Sequence, residues 1–161
     1  MKKLSTAIIT TGLVAGTMDI TAACVQFFIL TGKGPALVLN FISSSIVGSE
    51  VANSGGVMWS VTGLLMHYSI AFGWTILFYF LYSRISLLRG NKIVVGLFYG
   101  IFVWIMMNFV LVPLTQIGYR PFNLPSAAVA CTIIMVCIGL PVSLLANTYF
   151  GSLSPRSRDK F

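Results

Sequence analysis

VMWSVTGLLMHYSIAFGWTILFYFLY, residues 57–82, runs for 26 positions without an Asp, Glu, Lys or Arg. About 20 apolar residues in a helix are enough to cross the hydrocarbon core of a bilayer. Hydrocarbon offers no partner for an amide, so a stretch of this kind must pair its backbone internally, as a helix does. Three other stretches reach the same length, at roughly 5–30, 93–114 and 126–149. The alternation of a membrane β-barrel is absent. The sequence therefore predicts an all-α membrane protein, a four-transmembrane-helix bundle forming a single membrane domain over 1–161.

Composition agrees with that solvent. Soluble domains carry about a quarter charged residues, whereas here 8% are charged, 57% are hydrophobic and the mean hydropathy is +0.94. The net charge of +7 does not point to nucleic acid, because the basic residues sit at segment ends instead of lining one face. Lys2 and Lys3 precede the first stretch, Arg84, Arg89 and Lys92 lie between the second and third, and Arg156, Arg158 and Lys160 follow the fourth. The other two connections hold Lys33 and Arg120. Basic residues collect in the cytoplasm, which predicts a multi-pass protein with both termini and the middle connection on that side. The first stretch reads as a span and not a cleaved leader, since it stays apolar through Val25, Phe27, Phe28 and Leu30.

In the first outer connection, 35–47 reads as a short amphipathic helix too short to cross, begun by Pro35. Leu37, Val38, Phe41 and Ile42 fall on one side and Asn40, Ser43 and Ser44 on the other, the pattern of a helix lying at the outer interface as a lid. Gly48 to Gly56 reads as a flexible segment. Gly90-Asn91 marks a tight inner turn, which makes the second and third spans antiparallel neighbours. Asn123 is placed to cap the last helix. Pro141 predicts a kink in the fourth span and Pro113 the end of the third. Trp59, Tyr82, Tyr119 and Tyr149 sit near water boundaries as anchors.

Asp19 lies near the middle of the first span, where a carboxylate costs roughly 2.5–3.5 kcal/mol on insertion scales. Its helical neighbours are small or polar: Gly12 and Gly16 on one side, Ala22, Ala23 and Gln26 on the other. Gly12-x-x-x-Gly16 admits a second helix at close range. His67, with Gly63 a turn away, lies within about 5 Å of Asp19 in depth on a straight-helix rise. Asn108 follows Gly96-x-x-x-Gly100 in the third span. Asp19, His67 and Asn108, with Gln26 above them, are expected to converge in the outer half of the bundle. They form either a site for a proton, ion or small polar ligand, with Asp19 and His67 changing protonation together, or an internal hydrogen-bonded latch.

Cys24, Cys131 and Cys137 lie inside apolar runs without the spacing of a zinc site or the density of a disulfide scaffold. Cys24 and Cys131 each fall about a turn and a half inside the outer boundary. Met66, Met107 and His67 add soft ligands but no recognisable spacing, so neither metal nor cofactor is expected. No phosphate loop, nucleophile elbow or paired catalytic carboxylate occurs, and no enzymatic activity is expected.

The chain resembles the YagU-like bacterial inner-membrane proteins. The resemblance is carried by GLVAG at 12–16, HYSIAFGWTILFYFLY at 67–82, and GLFYG at 96–100 leading through FVLVPL to FNLP at 122–125. It implies a bacterial inner membrane and carries no activity. That family has a Gly-His pair in its final span, where Gly139 here is followed by Leu140, so no two-histidine site is implied. Two roles follow from the residues. A proton-linked or small-ligand protein would use Asp19, and as a transporter it would require a homo-oligomer, because four helices seldom enclose a pathway. An accessory or envelope-maintenance protein would instead bind a partner helix or lipid through the small-residue faces.

Overall fold

The computed structural model describes residues 3–119, 121 and 123–153. Lys2, Arg120 and the basic tail residues used above for orientation lie outside this range. Its helices are α1 (Leu4–Thr31), α2 (Ala36–Val47), α3 (Ser49–Ala52) and α4 (Val57–Arg84), then α5 (Lys92–Leu114) and α6 (Leu124–Leu153). Four of them, α1, α4, α5 and α6, are long and apolar enough to cross a membrane, and the protein is a multi-pass membrane helix bundle. Each expected span is met within about a turn. The expected flexible segment Gly48 to Gly56 includes the one-turn helix α3.

Local chemistry sets the ends. Gly32 takes φ +67° and returns its N–H to the Phe28 carbonyl at 2.8 Å, closing α1 with a left-handed residue that a side chain would disfavour. Asn91 Oδ1 accepts from Ile93 N at 3.0 Å to open α5, and Asn123 Oδ1 accepts from Ser126 N at 3.1 Å to open α6. Between α4 and α5, Ser86–Arg89 form a 3₁₀ turn.

The bundle is apolar outside, and its interior mixes small, polar and aromatic side chains with a few aliphatic ones such as Val103, Ile138 and Val142. Ile29, Leu65 and Phe98 are among many exposed aliphatic and aromatic side chains, while Thr11, Ser43, Thr75 and Ser143 are fully buried. An apolar exterior of this kind suits a hydrocarbon solvent. Inside it, α1 packs between α4 and α6, and α5 packs along α6. A Cβ on Gly12 would strike the Phe72 ring, and one on Gly16 would lie 3.0 Å from Tyr68. Thr11 and Tyr79 share a buried hydrogen bond of 2.9 Å, and Thr17 meets the Tyr68 hydroxyl at 2.7 Å.

The two seams of α5 differ in kind. Against α6 the contact is backbone on backbone: Gly100 sits on Met135, and Gly139 on the Gly96 carbonyl. Against α4 the helices are held apart by rings, with Phe78 and Tyr99 centroids 4.6 Å apart and Trp74 and Phe102 centroids 5.9 Å apart. Rising numbers on one helix meet falling numbers on the other, so α4 and α5 are antiparallel neighbours. Tyr99 donates its hydroxyl to the Trp74 carbonyl across this seam at 2.6 Å. Interhelical bonds in membranes average about 0.6 kcal/mol, and Tyr99→Phe is expected to lower stability by about that much in a denaturant titration.

Helix α2 packs closest to the bundle through its serines: Ser43 and Ser44 are buried, Leu37, Phe41 and Ile46 are exposed, and Val38 and Ile42 are half-buried. The reason is steric, since the Leu39 carbonyl lies in the space left by the missing side chain of Gly63 on α4, and only small neighbours permit that approach. The two serine hydroxyls bond back to the Asn40 and Phe41 carbonyls of their own helix at 2.9 and 2.7 Å. Tyr82 is buried, not a boundary anchor; its ring stacks on Phe150 at 4.9 Å and its hydroxyl accepts from Asn147 Nδ2 at 2.9 Å.

Candidate functional site

Asp19 and His67, both half-buried, line one cavity of about 100 Å³ between the helices. All four spans reach it, through Trp74 on α4, Val103 and Met107 on α5 and Ile138 on α6 as well as Asp19 on α1, and α2 adds Ile42. At about 30 Å³ per water, the space has room for a few waters. Apart from the carboxylate and the imidazole, the lining is aliphatic, aromatic or thioether. An ionisable pair in such surroundings has few other groups to stabilise its charge, which makes its protonation sensitive to whatever enters the space.

His67 is held by the backbone of the neighbouring helix. Its Nε2 lies 2.9 Å from the Gly16 carbonyl, one turn before Asp19. A carbonyl can only accept, so Nε2 carries the hydrogen and Nδ1 is the nitrogen left to gain or lose a proton. Asp19 is near enough to interact electrostatically with His67 and also with Cys137.

Cys137 belongs to a feature the sequence signalled only in part. Residues Met135–Gly139 of α6 and Met107–Leu111 of α5 are π-helical turns. Each ends two residues before a proline, Pro141 and Pro113. A proline lacks the N–H that would bond four residues back, to Cys137 and Phe109 respectively, and its ring crowds that carbonyl. The helix responds by widening. Both widened turns border the cavity, through Ile138 and Met107, and π-turns inside α-helices occur often at functional sites.

The wider convergence does not form. Asn108 is exposed, donates from Nδ2 to the Trp104 carbonyl of its own helix at 2.9 Å, and lines a separate cavity of about 280 Å³ with Tyr119 and Asn123. Its face, running from Gly96 through Gly100 and Trp104, is the one packed on α6, so Asn108 is turned along that seam while the adjacent Met107 reaches the Asp19 cavity. Gln26 stands about two turns, or ~10 Å, beyond Asp19 along α1. It lines grooves at the end of the bundle that carries α2, one toward α2 and one toward α6. The packing glycines act within the chain: Gly12, Gly16 and Gly63 at α4 seams, Gly96 and Gly100 against α6. All three cysteines are free thiols, and Cys131 Sγ lies 3.8 Å from Met135 Sδ.

No family model, curated protein or solved structure matches the chain.

Proposed function

We propose that the Asp19–His67 cavity is a site that binds a proton or a small polar ligand, in a non-enzymatic protein of the bacterial inner membrane whose termini face the cytoplasm. One observation carries the reading: the ionisable side chain deepest in α1 and the chain's one histidine line a single cavity reached by every span. The distribution of Lys and Arg supports the orientation, and the resemblance to the YagU-like proteins supports the membrane. The alternative, an accessory role in binding a partner helix or lipid, would use surfaces other than Gly12, Gly16, Gly63, Gly96 and Gly100, which meet neighbours within the chain. Movement of a ligand across the membrane would call for a second copy or a partner protein to complete a pathway.

Trp74 lines the cavity and supplies a reporter. With Trp59 and Trp104 replaced by Phe, the emission of Trp74 in the reconstituted protein is expected to show a transition between about pH 4 and about pH 7, the range set by ordinary carboxyl and imidazole groups. Asp19→Asn should abolish it and His67→Gln should move its midpoint. Emission that is flat in the parent, or that titrates identically in all three proteins, removes the proposal.

A further inference from the structure

At the end of the bundle that carries α2, α1 and α2 face each other across a groove of about 600 Å³, inside the ~300–1,000 Å³ typical of small-molecule sites. Its walls are mainly apolar, with Phe27 and Leu30 on α1 and Leu37, Val38 and Phe41 on α2, interrupted by Gln26 and Ser44. Its rim is polar. Lys33 follows the end of α1, Ser49 begins α3 and Asn53 follows its end, and Gln116 comes from the connection after α5. The Gln116 backbone N–H donates to the Ser45 carbonyl at 3.0 Å, which fixes that connection against α2 and places the amide side chain at the rim.

Depth and charge narrow the occupant. From Ala23 to Thr31, α1 rises about 12 Å, most of the ~15 Å of one hydrocarbon leaflet, so the groove begins among polar groups and ends among acyl chains. Among the described residues that line it, Lys33 alone is charged. The acidic residue of α3, Glu50, is exposed and is not part of the lining. A cationic and amide-rich mouth above an apolar wall matches an amphiphile with an anionic head.

We propose that this groove binds one lipid of the surrounding bilayer through an anionic phosphate headgroup at Lys33, Asn53 and Gln116, with an acyl chain along Phe27, Val38 and Phe41. The site does not depend on the titration of Asp19. It does share a wall with that cavity, because α2 presents Ile42 to one and Val38 and Phe41 to the other. A bound lipid therefore braces the wall that covers Asp19.

The test uses the full chain in detergent, offered equal amounts of phosphatidylglycerol and phosphatidylcholine of the same acyl length, with retained lipid read by native mass spectrometry. The parent should retain phosphatidylglycerol about fivefold over phosphatidylcholine, the factor that one basic residue is worth near an anionic lipid surface. Lys33→Gln should bring the two to parity, and Val38→Trp, which fills the groove, should reduce both. Circular dichroism of each variant establishes that the helices persist. Equal retention by the parent means annular contact only and overturns the site. So does a headgroup preference that survives Lys33→Gln, or displacement of the lipid by inorganic phosphate at equal concentration, which would make it an ion site without an acyl wall.

Discussion

Gly139→Ala should destabilise the bundle by about 3 kcal/mol, at the upper end of the range for overpacking a closed site, in a reversible unfolding titration in micelles or bicelles. The added methyl has no flexible neighbour to displace. It would collide with the Gly96 carbonyl and lie 2.9 Å from Gly100 N and 3.1 Å from Gly100 Cα, all backbone atoms. Relief requires α5 and α6 to separate, which disturbs the whole length of their contact and the hydrogen bond from Ser143 Oγ to the Lys92 carbonyl at 2.8 Å. Gly73→Ala is the control: beyond its chain neighbours and its own turn of helix backbone nothing stands within 4 Å of the new methyl, and in a helix interior alanine is favoured over glycine by about 1 kcal/mol. Equal behaviour of the two variants would show that α5 and α6 do not meet through their glycines.

Asp19→Leu should have the opposite sign. A carboxylate at the centre of a span opposes insertion by about 2.5–3.5 kcal/mol, and leucine removes that opposition while occupying part of the ~100 Å³ cavity. The variant is expected to gain about 2.5 kcal/mol in a translocon insertion assay of α1 and to unfold no more easily than the parent, while losing the pH response of Trp74. A structural latch predicts otherwise. If Asp19 served only to fasten helices together, its loss would leave partners unsatisfied and lower stability by about 1–3 kcal/mol. The sign of the change in unfolding free energy separates a site kept for use from one kept for cohesion.

The spans were legible because hydrophobic length is a one-dimensional property. Neither the bilayer thickness nor the self-pairing of helical amides depends on which neighbour a span meets. Facing is a different matter. Gly96, Gly100 and Asn108 do share one side of α5, as the four-residue spacing implies, yet nothing in that spacing says the side belongs to α6 and not to α1. Asp19 and His67 could be paired by depth alone because α1 and α4 were each bound to place their costly polar groups inward. Which side of α2 meets the bundle was not legible from its pattern either, because next to hydrocarbon small residues turn inward and large apolar ones remain outside at no cost. Pro113 and Pro141 signalled local disturbance, but a proline does not announce whether the helix will bend or widen.

The manner in which α2 is attached bears on access to the interior. Its serine donors are satisfied within their own turn, and it is tied outward by Ser60 Oγ to Asn40 Oδ1 at 2.8 Å and by Gln116 N to the Ser45 carbonyl. Lifting the helix strands no buried hydroxyl, and the apolar surface so uncovered meets acyl chains, which do not penalise it as water would. Shape more than bonding keeps this piece, with its Ile42, seated over the acid beneath it, and a cover held by shape is a detachable one.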